Sequence, residues 1–123
     1  MGTDLWMVIA VIPQFRLDTV TRALEDVPGF NGMTVTDCRG FGHERLGRET
    51  DAQSAPGIVY DLGDFKPRVK LEAAVAGRAV ADALVAAVAR SARTGRGGDG
   101  KIFLVPIAHA VRVRTMTYDR EAL

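Results

Sequence analysis

Residues 94–104, TGRGGDGKIFL, hold four glycines and a lysine and are the strongest candidate for anion-binding chemistry in the sequence. Gly97, Gly98 and Gly100 allow the backbone to approach an anion closely and to turn successive N–H groups toward it. Lys101 adds a positive point charge beside them. The stretch therefore predicts a phosphate-binding loop, with a glycine-rich connection that binds nothing as the alternative.

The spacing of this loop is close to that of a Walker A motif, but its context differs in two ways. Gly95-x-x-x-x-Gly100-Lys101 is followed by Ile102, where a Walker loop has the Ser or Thr that holds magnesium. A Walker loop also leads from a strand into a helix, so that the phosphates lie at the helix N-terminus. Here a predicted helix precedes the loop and a predicted strand follows it. The sequence therefore argues against a P-loop nucleotide hydrolase.

Two further stretches hold candidate binding residues. Arg112 and Arg114 are two apart in the alternating segment Val111–Arg114, so on a strand both guanidinium groups would leave the same face. An anion between them would relieve their repulsion, although a charged edge strand that resists aggregation also explains the pair. The GFG stretch at 40–42 suits a close backbone approach to a ligand or, alternatively, a plain hairpin bend.

The composition is typical of one globular domain, spanning residues 1–123, in the cytoplasm. With 16 basic and 15 acidic residues the net charge is +1, which gives no bulk attraction to nucleic acid. The single cysteine, Cys38, excludes an internal disulfide and fits a reducing compartment. The longest apolar run, Leu5–Ile12, is too short to insert across a membrane.

Hydrophobic periodicity predicts the elements that must position these residues. In chain order they are a strand at Leu5–Ile12, a helix at about Asp18–Val27 capped by Asp18, a strand at about Gly32–Phe41, a strand at Val69–Ala76, a helix at Arg78–Ala92, a strand at Ile102–Val105 and a short edge strand at Val111–Arg114. Residues 43–60 are polar and aperiodic, which predicts a long hairpin excursion. The tail Met116–Leu123 lacks a core pattern and is expected to be mobile. The order βαββαβ predicts a ferredoxin-like α+β fold with a short C-terminal strand.

Taken together, these stretches resemble the PII family of signal-transduction proteins over nearly the whole chain. The matching motifs are Thr94–Phe103 (TGRGGDGKIF), Val111–Thr115 (VRVRT), Gly32–Thr36 (GMTVT), GFG at 40–42, Phe15–Asp18 (FRLD), and, in the returning strand, Asp64-Phe65, Pro67, Val69-Lys70 and Glu72. The resemblance implies a homotrimer of ferredoxin-like subunits that binds an adenine nucleotide (ATP, ADP or AMP) in each cleft between subunits. It also implies a regulator rather than an enzyme, whose T-loop, about residues 43–61, contacts a target such as a membrane transporter or an enzyme of nitrogen metabolism.

The resemblance assigns nucleotide binding to eleven positions. These are Thr34, Gly40, Gly42, His43, Glu72, Gly98, Asp99, Gly100, Lys101, Arg112 and Arg114. In this assignment Thr34 contacts adenine, Gly40 and Gly42 line the ribose and phosphate side, and the glycine loop with the two arginines surrounds the phosphates.

The chain departs from the family pattern at several positions, which include Gln14 and Met116 and four that bear on effector binding or modification. His43 and Glu44 stand where the family has Arg and then Gln, and that Gln helps hold magnesium and 2-oxoglutarate. The Glu44 carboxylate can still ligate Mg²⁺ but would repel a dicarboxylate. Arg68 replaces a lysine that pairs with 2-oxoglutarate. Tyr60 lies near the position of the family's modified tyrosine, in a different context. These departures weaken the case for 2-oxoglutarate and for modification, and leave the adenylate site largely intact.

Three alternatives remain open on sequence grounds. The first is a divergent PII-like adenylate sensor that lacks a 2-oxoglutarate response and regulates another transporter, of the bicarbonate or metal-efflux type. The second is a slow nucleotide hydrolase, for which Glu44 with magnesium is the sole candidate centre. The third, a nucleic-acid binder, would need exposed sheet aromatics and a basic stripe, which the sequence does not predict.

Overall fold

The protein is described here by a computed structural model that covers residues 2–41 and 60–123. The predicted site residues Gly42, His43 and Glu44 therefore lie outside the described residues, as does most of the predicted T-loop. The main elements are β1 (Leu5–Pro13), α1 (Leu17–Glu25), β2 (Thr34–Gly40), β3 (Lys66–Ala76), α2 (Arg78–Ala92) and β4 (Lys101–Ile107). Single 3₁₀ turns span Gln14–Arg16, Leu62–Asp64 and Asp119–Ala122. No helix within the described ranges is long and apolar enough to cross a bilayer.

The four strands form one antiparallel sheet in the order β2-β3-β1-β4. This order, with two helices in the connections, confirms the predicted ferredoxin-like α+β fold. β1 is hydrogen-bonded along both edges, to β3 and to β4, which accounts for its uninterrupted apolar run. The edges of the sheet are β2 and β4, so the residues predicted to bind a ligand lie on edge strands or beside them.

Both helices pack on one face of the sheet and enclose the core. Alternate residues of β1 and β3 point to this face, among them Val8, Ala10, Leu71 and Val75, each at most 3% exposed. The helices bury their apolar stripes against these side chains. The helix contribution to the buried cluster is Val20 and Leu24 from α1, and Ala81, Leu84, Ala87, Val88 and Ala92 from α2. The small alanines of α2 allow its backbone to lie close to the sheet.

On the opposite face of the sheet, Arg112 and Leu123 from the C-terminal residues reach Met7 and Glu72, and apolar side chains of β4 are partly exposed. The register places Ile9 opposite Phe103 and Met7 opposite Val105, so these side chains share that face. Phe103 is 50% exposed and Val105 is 41% exposed. A contiguous apolar strip on a sheet face marks a surface that associates with another molecule.

The start of α1 differs from the prediction. Asp18 was expected to cap the helix, but the helix begins one residue earlier, at Leu17, and Arg16 is at the N-cap without a side-chain cap. Asp18 instead lies in the first turn, where its carboxylate pairs with Arg22 at 3.1 Å. Negative charge in a first turn is favourable because it faces the positive end of the helix dipole.

The C-terminal region also differs from the prediction. Val111–Arg114 was expected to form a short edge strand, but Val111 makes only an isolated bridge to Tyr118, and residues 113–115 form a turn. The tail after Met116 was expected to be mobile, yet it ends in a 3₁₀ turn that buries Ala122 to 9% exposure. The short hairpin satisfies its own backbone hydrogen bonds, so it needs no place at the sheet edge.

The packing of Gly100 generates a stability prediction. A Cβ at Gly100 would lie 1.9 Å from the Val11 carbonyl oxygen, whereas a Cβ at Gly95 would meet nothing within 4 Å; both residues have positive φ. Gly95→Ala should therefore lower the free energy of unfolding by about 1–2 kcal/mol, which is the cost of left-handed backbone for an alanine. Gly100→Ala should lower the free energy of unfolding by about 3 kcal/mol or more, because the added methyl group also forces β1 and β4 apart. Urea unfolding of the two variants measures the difference, and equal losses would contradict the close approach.

Candidate functional site

The glycine loop between α2 and β4 has a backbone that requires glycine at three positions. Gly95, Gly98 and Gly100 have φ values of 84°, 84° and 106°, a region that L side chains rarely adopt. Of the three glycines that the sequence singled out for a close approach to an anion, Gly98 and Gly100 have positive φ and Gly97 does not; anion binding by this loop stays a prediction. Lys101, which follows directly, begins β4 opposite Val11 and is exposed.

Asp99 stabilises the conformation of this loop through hydrogen bonds to its other residues. Its carboxylate accepts hydrogen bonds from the Thr94 N–H at 2.8 Å, from the Gly95 N–H at 3.0 Å and from the Thr94 hydroxyl. The Arg96 N–H in turn donates to the Thr94 hydroxyl at 3.1 Å. The Asp99 carboxylate is thus directed at the loop's own donors, so its contribution to anion binding would be to shape the backbone rather than to touch the anion.

These contacts lower the pKa of Asp99 from its usual 3.8. The largest cause is the hydrogen bond from the Thr94 hydroxyl, followed by the one from the Thr94 N–H; the Gly95 N–H and the charge of Arg16 act in the same direction. Arg16 itself is anchored nearby, with its Nε donating to the Ser91 carbonyl at 3.1 Å. Sequence reasoning did not single out Arg16 for this role, because nothing in its spacing connects it to α2.

Arg68 connects the glycine loop to the end of β2. Its Cγ lies 3.4 Å from the position of a Cβ at Gly40, and its Nη2 lies 3.1 Å from the position of a Cβ at Gly98. Glycine at both positions leaves room for the guanidinium. We call Gly40, Arg68, Gly98, Gly100 and Lys101 the loop cluster. It combines two cationic side chains with backbone in positive-φ conformation.

A second group of predicted residues surrounds an open depression of about 360 Å³. Thr34 and Glu72 face each other across the β2–β3 pair, and Arg112 reaches the same depression from the C-terminal hairpin. The full lining is Met7, Asn31, Gly32, Met33, Thr34, Glu72, Ala74, Arg112 and Leu123. The depression therefore combines an apolar floor with a carboxylate, a hydroxyl and a guanidinium.

The loop cluster and the depression lie apart on one chain. Arg68 and Glu72 are four residues apart on β3, on the face away from the helices, a separation of about 13 Å along the strand. Lys70 lies between them on the same face, and its Nζ is 3.9 Å from a Glu72 carboxylate oxygen. The two groups have no residue in common.

Arg114 does not join either group in the described part of the chain. Arg112 and Arg114 were predicted to leave the same face of a strand, but no strand forms there: Arg112 precedes a turn and Arg114 lies within it. The Met116 N–H donates to the Arg112 carbonyl at 2.8 Å and closes that turn. Arg112 lines the depression, whereas Arg114 is exposed and outside its lining.

Aromatic residues join the two ends of the excursion between β2 and β3. The rings of Phe41 and Tyr60 contact each other edge-on with centroids 5.2 Å apart, and the centroids of Phe41 and Phe65 are 5.1 Å apart. The modification predicted for Tyr60 remains a prediction; its ring has a packing role at the base of the excursion. Sequence reasoning did not assign this role to Phe41 and Phe65, although aromatic residues at both ends were a usable signal.

The Asp99 contacts generate a prediction about pH. Because the folded-state pKa is lowered, the carboxylate stabilises the loop above pH 3.8, and this contribution is lost as the pH falls through the lowered value. We expect the amide resonances of Thr94 and Gly95 to titrate with a midpoint below 3.8 in NMR spectra. Asp99→Asn should abolish the titration, and a wild-type midpoint at or above 3.8 would contradict the bracing role.

The chain is similar to known proteins over nearly its whole length. The family model described as Nitrogen regulatory protein P-II matches residues 5–117. The chain is 44% identical over 117 residues to Nitrogen regulatory protein P-II of Rhizobium etli, covering 95% of this chain and 98% of the relative. It is 41% identical over 114 residues to Nitrogen regulatory protein P-II 1 of Escherichia coli strain K12, covering 93% and 96%.

A solved structure with the same fold is that of Arabidopsis thaliana PII bound to citrate. It superposes with a TM-score of 0.75 at 30% identity and covers 98% of this chain and 92% of the plant chain. The four-stranded antiparallel sheet with two helices is thus shared with a member of the predicted family. The resemblance predicted from the sequence motifs is confirmed: the chain belongs to the P-II family of nitrogen regulatory proteins.

Proposed function

We propose that this P-II family member is a homotrimeric regulator that binds an adenine nucleotide in each of three clefts between subunits. The observation that carries this proposal is the separation of the loop cluster from the depression on a single chain. Each group holds part of what a nucleotide needs, and the two are chemically different. A neighbouring subunit would bring the depression of one chain to the loop cluster of the next.

The depression suits the base of the nucleotide. Met7 and Met33 offer apolar contact to a flat ring, and methionine adapts well to aromatic surfaces. The Glu72 carboxylate can accept a hydrogen bond from an exocyclic amino group, and the Thr34 hydroxyl can donate or accept one. A base with an exocyclic amino group, such as adenine, can donate a hydrogen bond to the Glu72 carboxylate. A base with a carbonyl oxygen at the same position cannot, because both groups would then be acceptors.

The loop cluster suits the phosphates. Arg68 and Lys101 supply positive charge, and the positive-φ glycines allow close backbone approach. Magnesium would be held by the phosphates and by Glu44, which lies outside the described residues. ATP, ADP and AMP remain the candidate ligands, and the citrate bound to the Arabidopsis relative is likewise an anion.

The open face of the sheet supports assembly. Its apolar strip includes Ile9, Phe103 and Val105, of which Phe103 is 50% and Val105 41% exposed. A ring built from heterologous contacts joins one patch of a subunit to a different patch of the next and gives equivalent clefts. A trimer of this kind would bury the strip at its centre and produce three equivalent nucleotide sites.

Regulation would act through residues 43–61, the T-loop of the proposed single domain 1–123. Support comes from their polar, aperiodic sequence and from the names of the relatives, which are nitrogen regulatory proteins. We therefore infer a target in nitrogen metabolism, either a membrane transporter or an assimilation enzyme. The names give no support to a bicarbonate or metal-efflux regulator.

Calorimetric titration with ATP, ADP and AMP, each with and without Mg²⁺ and 2-oxoglutarate, tests nucleotide binding. Arg68→Ala and Lys101→Ala should each weaken ATP binding about tenfold or more, because each removes a cation from the phosphates. Arg22→Ala is the matched control, since this arginine is exposed on α1 and pairs with Asp18. Failure of all three nucleotides to bind the wild-type protein would refute the proposal.

Mixed trimers test whether the site is shared between subunits. Lys101→Ala breaks the loop cluster and Glu72→Ala breaks the depression, so each variant alone should bind ATP weakly. After the two variants are refolded together at equal amounts, about a quarter of the clefts should combine an intact half from each chain and bind ATP normally. A mixture that binds no better than the separate variants would show that each chain carries a complete site.

A further inference from the structure

Asp119 makes three of the contacts that hold the arms of the C-terminal hairpin, residues 109–123, together. The Asp119 N–H donates to the Ala110 carbonyl at 2.7 Å, and its carboxylate accepts from the Ala110 N–H at 3.2 Å. The same carboxylate oxygen lies 2.8 Å from Nδ1 of His109. Asp119 thus contacts the first arm of the hairpin through its backbone and its side chain.

Other contacts show that this junction is built for a fixed geometry. Asp119 has a φ of 54°, a left-handed conformation that Asp tolerates better than most residues. The ring of His109 stacks on Tyr118 at 5.3 Å between centroids, next to the bridge between Val111 and Tyr118. The Arg112 N–H donates to the Thr117 carbonyl at 3.0 Å. The two arms are therefore aligned from the Asp119 junction to the turn.

The hairpin delivers two residues to the depression. Arg112 lies in its first arm and Leu123 at its end, and both line the space beside Thr34 and Glu72. Arg112 is the one cation among the lining residues described. Its location therefore depends on how the hairpin is held, and the Asp119 junction is at the opposite end of the hairpin from the turn.

We propose that Asp119 is a positioning residue for nucleotide binding: it fixes the C-terminal hairpin so that Arg112 is held beside Thr34 and Glu72. This inference rests on the proposed function, because it assigns Asp119 an effect on ligand affinity that is exerted through Arg112. Asp119 does not touch the ligand. The role requires an acceptor at this position and a residue that tolerates left-handed backbone.

Three variants separate these requirements. Asp119→Gly removes the carboxylate and keeps the left-handed backbone accessible, so strain does not obscure the result. Asp119→Asn keeps an acceptor for the Ala110 N–H and tolerates the same backbone, so it should bind ATP within about twofold of the wild type. Arg120→Ala is the matched control, because it removes an exposed charge from the same 3₁₀ turn without touching the junction.

A double-mutant cycle measured by ATP calorimetry tests the proposal. Asp119→Gly should weaken binding about tenfold in the wild-type background and less than about twofold in an Arg112→Ala background, because its effect passes through Arg112. In nucleotide-free protein, hydrogen exchange at the Arg112 and Met116 amides should be faster in Asp119→Gly and unchanged in Asp119→Asn.

The outcomes distinguish this inference from the proposed function. If the wild type binds ATP and Asp119→Gly binds it equally well, the positioning role alone is wrong. An equal loss in both backgrounds would also overturn it, since Asp119 would then act on the fold as a whole. If the wild type binds no adenine nucleotide, the proposed function fails and this inference fails with it.

Discussion

The close approach of Gly100 to the Val11 carbonyl is the contact on which the arrangement of the site depends. A side chain at position 100 would overlap backbone, so the loop can reach β1 only with glycine there. This approach lets β4 begin pairing at Lys101, directly after the loop. The loop therefore packs directly against β1, a central strand of the sheet, and is not attached only through the end of α2. The backbone of the loop, which is part of the proposed phosphate site, therefore gains its rigidity from the strand beside it.

The polar groups around the glycine loop divide into two layers with separate tasks. Asp99 and Thr94 hydrogen-bond to one another and to the loop's own N–H groups, whereas the guanidinium of Arg68 lies beside Gly98 and Lys101 is exposed at the end of the loop. The Asp99 carboxylate accepts hydrogen bonds from the Thr94 and Gly95 N–H groups, which would otherwise be hydrated. The proposed phosphate site would therefore be preformed, which would reduce the conformational entropy that is lost when a ligand binds.

Periodicity predicted the six main elements because each has a strong local signal, and α2 was predicted to the residue at Arg78–Ala92. The predictions that were wrong involve short segments. Val111–Arg114 alternates between apolar and basic residues like a strand. Its backbone groups are instead hydrogen-bonded within the C-terminal hairpin, and alternation alone does not distinguish a strand in the sheet from such a hairpin. The grouping of Thr34, Glu72 and Arg112 is non-local, so residue spacing could not predict it; family motifs named the residues, and only the fold shows which of them meet.

The contact of Phe41 with Tyr60 bears on how this protein can diversify. Because the two ends of the excursion are held together by ring packing, the sheet does not depend on the length of the chain between them. Loop-closure entropy rises only with the logarithm of length, by about 0.6 kcal/mol for each doubling. Insertions and substitutions between these two rings need not disturb the packing of the core. With the proposed T-loop in that segment, such changes would alter the target that is contacted and leave the fold as it is.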